Sequence, residues 1–213
     1  RGYITDYYTD EAIKVIEKNK NRPFFLYLSH FAPHNPLQAL RDDYDHFHHI
    51  EGEFSEELKV YSGMLKALDR SVGRILDTLE KNNLTDNTLI VLTSDNGGAN
   101  YIHLSDINKP YRGWKLTHFE GGLHVPFMAK WPNKIEPGIE FNAPIHANDI
   151  LPTFAAAAGA ELPDDRIIDG VNLLPFLQNH NSDMPHETLY WLQGRLQTVL
   201  HKNWKLITDH RTG

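Results

Sequence analysis

The chain has 213 residues, 40% of them hydrophobic and 23% charged, which describes a folded globular chain and excludes a disordered one. Its net charge of −7 and lack of a long basic run argue against nucleic acid as a partner, because binding phosphate backbones needs clustered Lys and Arg. There is no cysteine, so disulfides, thiolate metal sites and a cysteine nucleophile are excluded. No apolar run is long enough to span a bilayer.

In chain order, residues 9–20 read as a helix capped by Thr9 or Asp10, with Tyr8, Ala12, Val15 and Ile16 as its apolar stripe. Phe24-Phe25-Leu26-Tyr27-Leu28 reads as a strand buried on both faces. It leads into a loop stiffened by Pro33 and Pro36. A long helix spans about 55–82, with Leu58, Tyr61, Leu65, Leu68, Val72, Ile75, Leu76 and Leu79 at helical spacing. A second buried strand, 88–93, follows. Strand, helix, strand predicts a βαβ crossover with parallel strands and both polar loops on one sheet edge. Residues 99–121 read as a loop, and 125–129 as an edge or bulged strand because of Pro126. A helix over 149–158 has Pro152 in its first turn and Gly159 as its stop. Strands over 188–192 and 198–207 close the chain, the second with a hairpin turn at Lys202-Asn203.

Ser94-Asp95-Asn96-Gly97-Gly98 carries the most chemistry. It places a carboxylate and an amide oxygen at a strand's C-terminal end, where parallel α/β sheets bind ligands. Two hard oxygen donors there predict a Ca²⁺ or Mg²⁺ site; the alternative is a plain Asp-Asn-Gly turn. His34, between prolines on its loop, is a candidate proton donor or oxyanion ligand, or a loop histidine bonded to backbone. Lys115 is a candidate point charge for a tetrahedral anion, or a surface lysine. Glu120 is a candidate for orienting Lys115 or His34, and otherwise a turn carboxylate. His118 and His124 line the site or serve packing, and Arg112 is an anion ligand or a loop anchor. Asp149 reads as a helix cap. No phosphate-binding glycine motif, nucleophile elbow or zinc-protease motif occurs.

Taken in order, several stretches resemble the type I sulfatases of the alkaline-phosphatase-like superfamily. They are Pro23 to Tyr27 with Ala32-Pro33-His34-Asn35-Pro36, and Asp86 to Gly98. They continue with Asn108 to Lys115, Phe119-Glu120-Gly121-Gly122, Asn148 to Thr153, and Trp204-Lys205-Leu206. The resemblance implies a mainly parallel α/β sheet flanked by helices. Residues 1–186 would be the C-terminal-side portion of the catalytic domain, and 187–213 the start of a small antiparallel subdomain.

It further implies Asp95 and Asn96 as metal ligands, usually for Ca²⁺, with His34, Lys115, Glu120 and His118 around the sulfate ester. The family's formylglycine nucleophile, made within a C/S-x-P-x-R motif, and its paired aspartates would lie upstream of this chain. The chain therefore reads as a segment of a longer sulfatase acting on a sulfate-ester small molecule or sulfated carbohydrate. On its own it would be inactive. A phosphodiesterase or phosphonate monoester hydrolase of the same superfamily, or a non-catalytic fragment, are the rival readings. Family members imply a periplasmic or secreted location, or a lysosomal one in a eukaryote. His124 departs from the arginine usual at its position.

Overall fold

In the computed structural model the described residues are 2–100, 103, 104, 107–179 and 181–209. Parts of the expected loop 99–121 and of the expected subdomain 187–213 thus lie outside them. The chain divides into two compact units: Arg1–Thr88 with Ala99–Ile107, and Leu89–Gly98 with Asn108–Gly213.

The first unit is helical. Helix α1 (Ile4–Asn19) packs on the long helix α3 (Ser55–Lys81), with the short α2 (Arg41–Asp45) beside α3. Helix α1 starts earlier than predicted, after Tyr3, and Thr9 is not its cap. The buried positions of α1 are Thr5, Thr9, Ala12 and Ile16, while Val15 is exposed. Two threonines therefore sit on the buried face, which a purely apolar stripe misses. The Thr9 hydroxyl is satisfied there: its Oγ1 lies 2.6 Å from both the Thr5 carbonyl and Ser71 Oγ. Ser71 Oγ in turn lies 2.9 Å from His30 Nε2. The buried positions of α3 include Gly63, Met64, Ala67 and Ser71; Gly63 lets α2 approach closely, since a Cβ there would lie 2.9 Å from Ala39 Cβ and 3.2 Å from the backbone of Asp43 and Tyr44.

The unpredicted α2 is held by Asp43, whose side chain is buried. Arg70 donates to it in bidentate fashion at 2.7 and 2.9 Å, and Lys66 at 3.1 Å. Burial pushes this carboxyl up, but the hydrogen bonds from Arg70 and Lys66 outweigh that and hold it below the usual carboxylate range.

Phe24–Leu28 forms neither a helix nor a ladder among the described residues, contrary to the expected buried strand. Phe25 and Tyr27 are 73% and 80% exposed. A strand needs a neighbouring backbone to pair with, and periodicity does not reveal whether one is present. The predicted parallel crossover is therefore not formed among the described residues.

In the second unit β1 (Ile90–Thr93) pairs antiparallel with β2 (Phe127–Lys130), Ile90 opposite Lys130. Helix α4 (Glu120–Leu123) precedes β2, and α5 (Ile150–Ala158) ends at Gly159 in the left-handed conformation, as predicted. Helix α6 (Leu174–Leu177) leads to a three-stranded antiparallel meander of β3 (Thr188–Gln193), β4 (Leu196–His201) and β5 (Trp204–Asp209). Lys202, at positive φ, turns β4 into β5 at the predicted place.

Asp149 does more than cap a helix. It is fully buried, accepts from the backbone of His146 and Val171 at 2.7 and 2.9 Å, and lies 2.8 Å from His186 Nε2. It thereby joins the start of α5 to the segments before α6 and β3. No helix among the described residues is long and apolar enough to cross a membrane.

Candidate functional site

The turn after β1 is bonded to itself and to two other loops of the same unit. Ser94 Oγ donates to the Asn96 carbonyl at 2.9 Å. Gly97 N donates to the Gly122 carbonyl at 3.1 Å, and Lys115 N to the Gly98 carbonyl at 3.0 Å. Asn108 clamps the arrangement: its side chain accepts from Gly98 N at 2.8 Å and donates to the carbonyls of Gly98 and Gly113, both at 3.0 Å. Gly121 N donates to the Arg112 carbonyl at 2.7 Å.

The glycines are required by close approach. A Cβ on Gly97 would lie 1.8 Å from the Gly121 oxygen, one on Gly121 2.2 Å from the Gly113 oxygen, and one on Gly122 2.1 Å from the Thr117 oxygen. Backbone carbonyls cannot swing aside as side chains do, so these three positions admit no side chain.

Asp95, Asn96, Lys115, His118 and Glu120 all belong to this second unit; His34 belongs to the first. Asp95 is exposed on the turn and Asn96 half-buried. The Asn96 amide nitrogen donates to the Gly97 carbonyl at 3.0 Å, which leaves its Oδ1 as the outward donor atom. A carboxylate and an amide oxygen side by side are the hard donors that Ca²⁺ or Mg²⁺ takes, so this pair fits such an ion. Among the described residues no group of three or more His, Cys, Asp or Glu converges as a metal site. Ca²⁺ takes six to eight oxygens, so an ion held at this pair would need further ligands.

Glu120 directs its carboxylate to Lys205 of β5 and to His124 Nδ1 at 3.2 Å. His124 stacks on Tyr111 with ring centroids 4.5 Å apart. His118 is 4% exposed, with Nδ1 2.7 Å from Thr198 Oγ1 of β4. Burial, and then the charge of Lys205, push its pKa down against a hydrogen bond with the Gln193 side chain. Burial thus favours the neutral imidazole, which joins the lysine loop to the meander.

His34 is exposed, with Nδ1 2.9 Å from the Asn35 carbonyl. A carbonyl only accepts, so Nδ1 carries a proton, and Nε2 donates only when the ring is charged. Asn108 and Lys205 were not singled out for roles of their own in the sequence. Their partners are remote carbonyls and a remote carboxylate, which no local pattern marks.

The sulfatase family model matches residues 1–160. The chain belongs to the sulfatase family. A second family model, N-sulphoglucosamine sulphohydrolase, C-terminal, matches residues 113–208. Among curated sulfatases, the chain is 38% identical over 194 residues to the uncharacterized sulfatase YdeN of Escherichia coli (strain K12), covering 90% of this chain and 34% of that protein. It is 37% identical to the steryl-sulfatase of Rattus norvegicus, covering 88% of this chain and 32% of the relative. Among solved structures, Ps i-CgsB in complex with k-i-k-neocarrahexaose superposes with TM-score 0.88 at 37% identity, over 99% of this chain and 47% of that one. This sulfatase chain therefore has the alkaline-phosphatase-like fold, and spans about a third of the length of the curated relatives it matches. The phosphonate monoester hydrolase SpPMH of Silicibacter pomeroyi, 20% identical with TM-score 0.70 over 98% of this chain and 54% of that one, shares the fold.

Proposed function

We propose that the protein containing this chain hydrolyses the sulfate ester of a carbohydrate to an alcohol and sulfate. In this reading residues 1–186 form the C-terminal-side part of the catalytic domain, and 187–213 open a small subdomain. Asp95 and Asn96 hold Ca²⁺, or Mg²⁺, together with ligands from outside this chain, where the formylglycine nucleophile also resides. The bound ion supplies Lewis-acid polarisation of the sulfuryl group.

The observation that carries the reading is the bond from Lys115 N to the Gly98 carbonyl, which keeps the lysine beside the Asp95–Asn96 turn. From there the Lys115 ammonium meets charge that builds on the sulfuryl oxygens as the S–O bond breaks. His34, with Nδ1 committed to Asn35, is the proton donor to the departing alcohol oxygen in this reading, from Nε2 when the ring carries both protons. The relatives' names support sulfate over phosphate esters, and Ps i-CgsB was solved in complex with k-i-k-neocarrahexaose, which supports a carbohydrate. A periplasmic or secreted location accords with such a substrate.

The test is release of sulfate and of phosphate from matched aryl esters by the full-length protein, before and after chelation and Ca²⁺ readdition. Sulfate release that falls on chelation and returns with Ca²⁺ is expected. Preference for the phosphate ester overturns the substrate, and insensitivity to chelation overturns the metal.

A further inference from the structure

We infer that Arg112 reads a second anionic group on the substrate, so that the site selects a sugar carrying two sulfates over one carrying a single sulfate. The inference rests on the sulfatase reading and deepens it. Within the second unit a cleft of about 460 Å³ is lined by Tyr111, Arg112, Phe119, Glu120 and Lys205. Its two cations differ. Lys205 is ion-paired with Glu120 and contributes no net charge. Arg112 makes no ion pair with a carboxylate among the described residues, so the cleft's net positive charge is its own.

The guanidinium is held in place without being neutralised. Its carbon lies over the Phe119 ring, 4.2 Å from the ring centre, a cation–π contact that restrains the fork. The backbone beneath is equally fixed. The Arg112 carbonyl accepts from Gly121 N, Gly113 sits at φ +90°, and the glycines packed there have no room for a side chain. A planar fork with N–H groups on its edge matches two oxygens of a sulfate. A guanidinium restrained before binding also loses less entropy on binding. Arg112 is three residues before Lys115, so their Cα atoms are at most about 10 Å apart. That spacing suits sulfates on opposite edges of one ring, one at Lys115 and one at Arg112. Tyr111, stacked on His124, offers an aromatic wall for the ring itself.

The experiment is calorimetric binding of D-glucosamine 2-N,6-O-disulfate and of D-glucosamine 6-O-sulfate to the full-length protein and to its R112Q and R112K variants. Wild type is expected to prefer the disulfate by about 10-fold to 100-fold, the worth of one charge-assisted contact. R112Q should lose that preference, and R112K, with charge but no fork, should keep only part of it. If R112Q does not fold, R112K decides. A wild-type ratio retained by a folded variant, or a wild type that binds the two sugars equally or neither, overturns the assignment. A wild type that prefers the disulfate yet releases no sulfate overturns the hydrolase reading and leaves Arg112 standing.

Discussion

The ammonium of Lys205, on β5, is bonded to the carboxylate of Glu120, which opens α4 five residues beyond Lys115. The last strand of the meander thus holds the end of the lysine loop. Because Glu120 is 46% exposed, the pair is partly screened, and its coupling should be about 0.5–1 kcal/mol. K205M and E120Q should each slow sulfate release by the full-length protein. In a double-mutant cycle the double variant should be no slower than the slower single one. Multiplicative losses would show that the two residues act independently.

Lys115→Ala should cost on the order of 10²-fold in kcat, comparable to removing one oxyanion donor. Its backbone bond to Gly98 survives the substitution, so the loop stays in place and the loss isolates the ammonium. Turnover equal to wild type would put Lys115 outside the chemistry.

Two glycines should answer alanine in opposite ways. Gly73 lies on the exposed side of α3, where an added Cβ meets nothing within 4 Å. Gly73→Ala should therefore stabilise by about 0.5–1 kcal/mol, through helix propensity and a less free unfolded chain. Gly97→Ala, driven against a carbonyl, should lower the melting temperature and abolish activity. Thermal unfolding of the two variants checks both signs.

Burial pushes the pKa of His30 below its ordinary value. An unfolded histidine titrates near about 6.5. Between the folded value and that one the unfolded chain binds a proton that the folded chain does not, so stability rises with pH there. The contribution is complete above about pH 6.5 and is lost as pH falls through the folded value. Urea unfolding between pH 5 and 7.5 should show this slope, and His30→Asn should flatten it. An equal slope in the variant would assign the pH dependence to other groups.

What the sequence reveals follows interaction range. Helix 55–82 was legible because an amphipathic period is a local property, and it runs Ser55–Lys81. The β4–β5 hairpin was legible because Lys202-Asn203 is local turn chemistry. Phe24–Leu28 was misread because pairing depends on a second backbone. Thr9 and Asp149 were read as caps, yet their partners lie far along the chain: Ser71 for Thr9, and Val171 and His186 for Asp149. At the site, residue types pointed to Asp95, Asn96 and Lys115. The Asn108 clamp depends on which carbonyls face it after folding, and stayed hidden.

The contact of Gly97 with Gly121 and Gly122 gives the site a fixed origin. Because the turn and the lysine loop meet through backbone contacts and the Asn108 side chain, any rearrangement of one drags the other with it. The surrounding side chains face no such restriction. A designer seeking a new sugar preference has freedom at Tyr111 and Arg112, and almost none at the glycines beneath them.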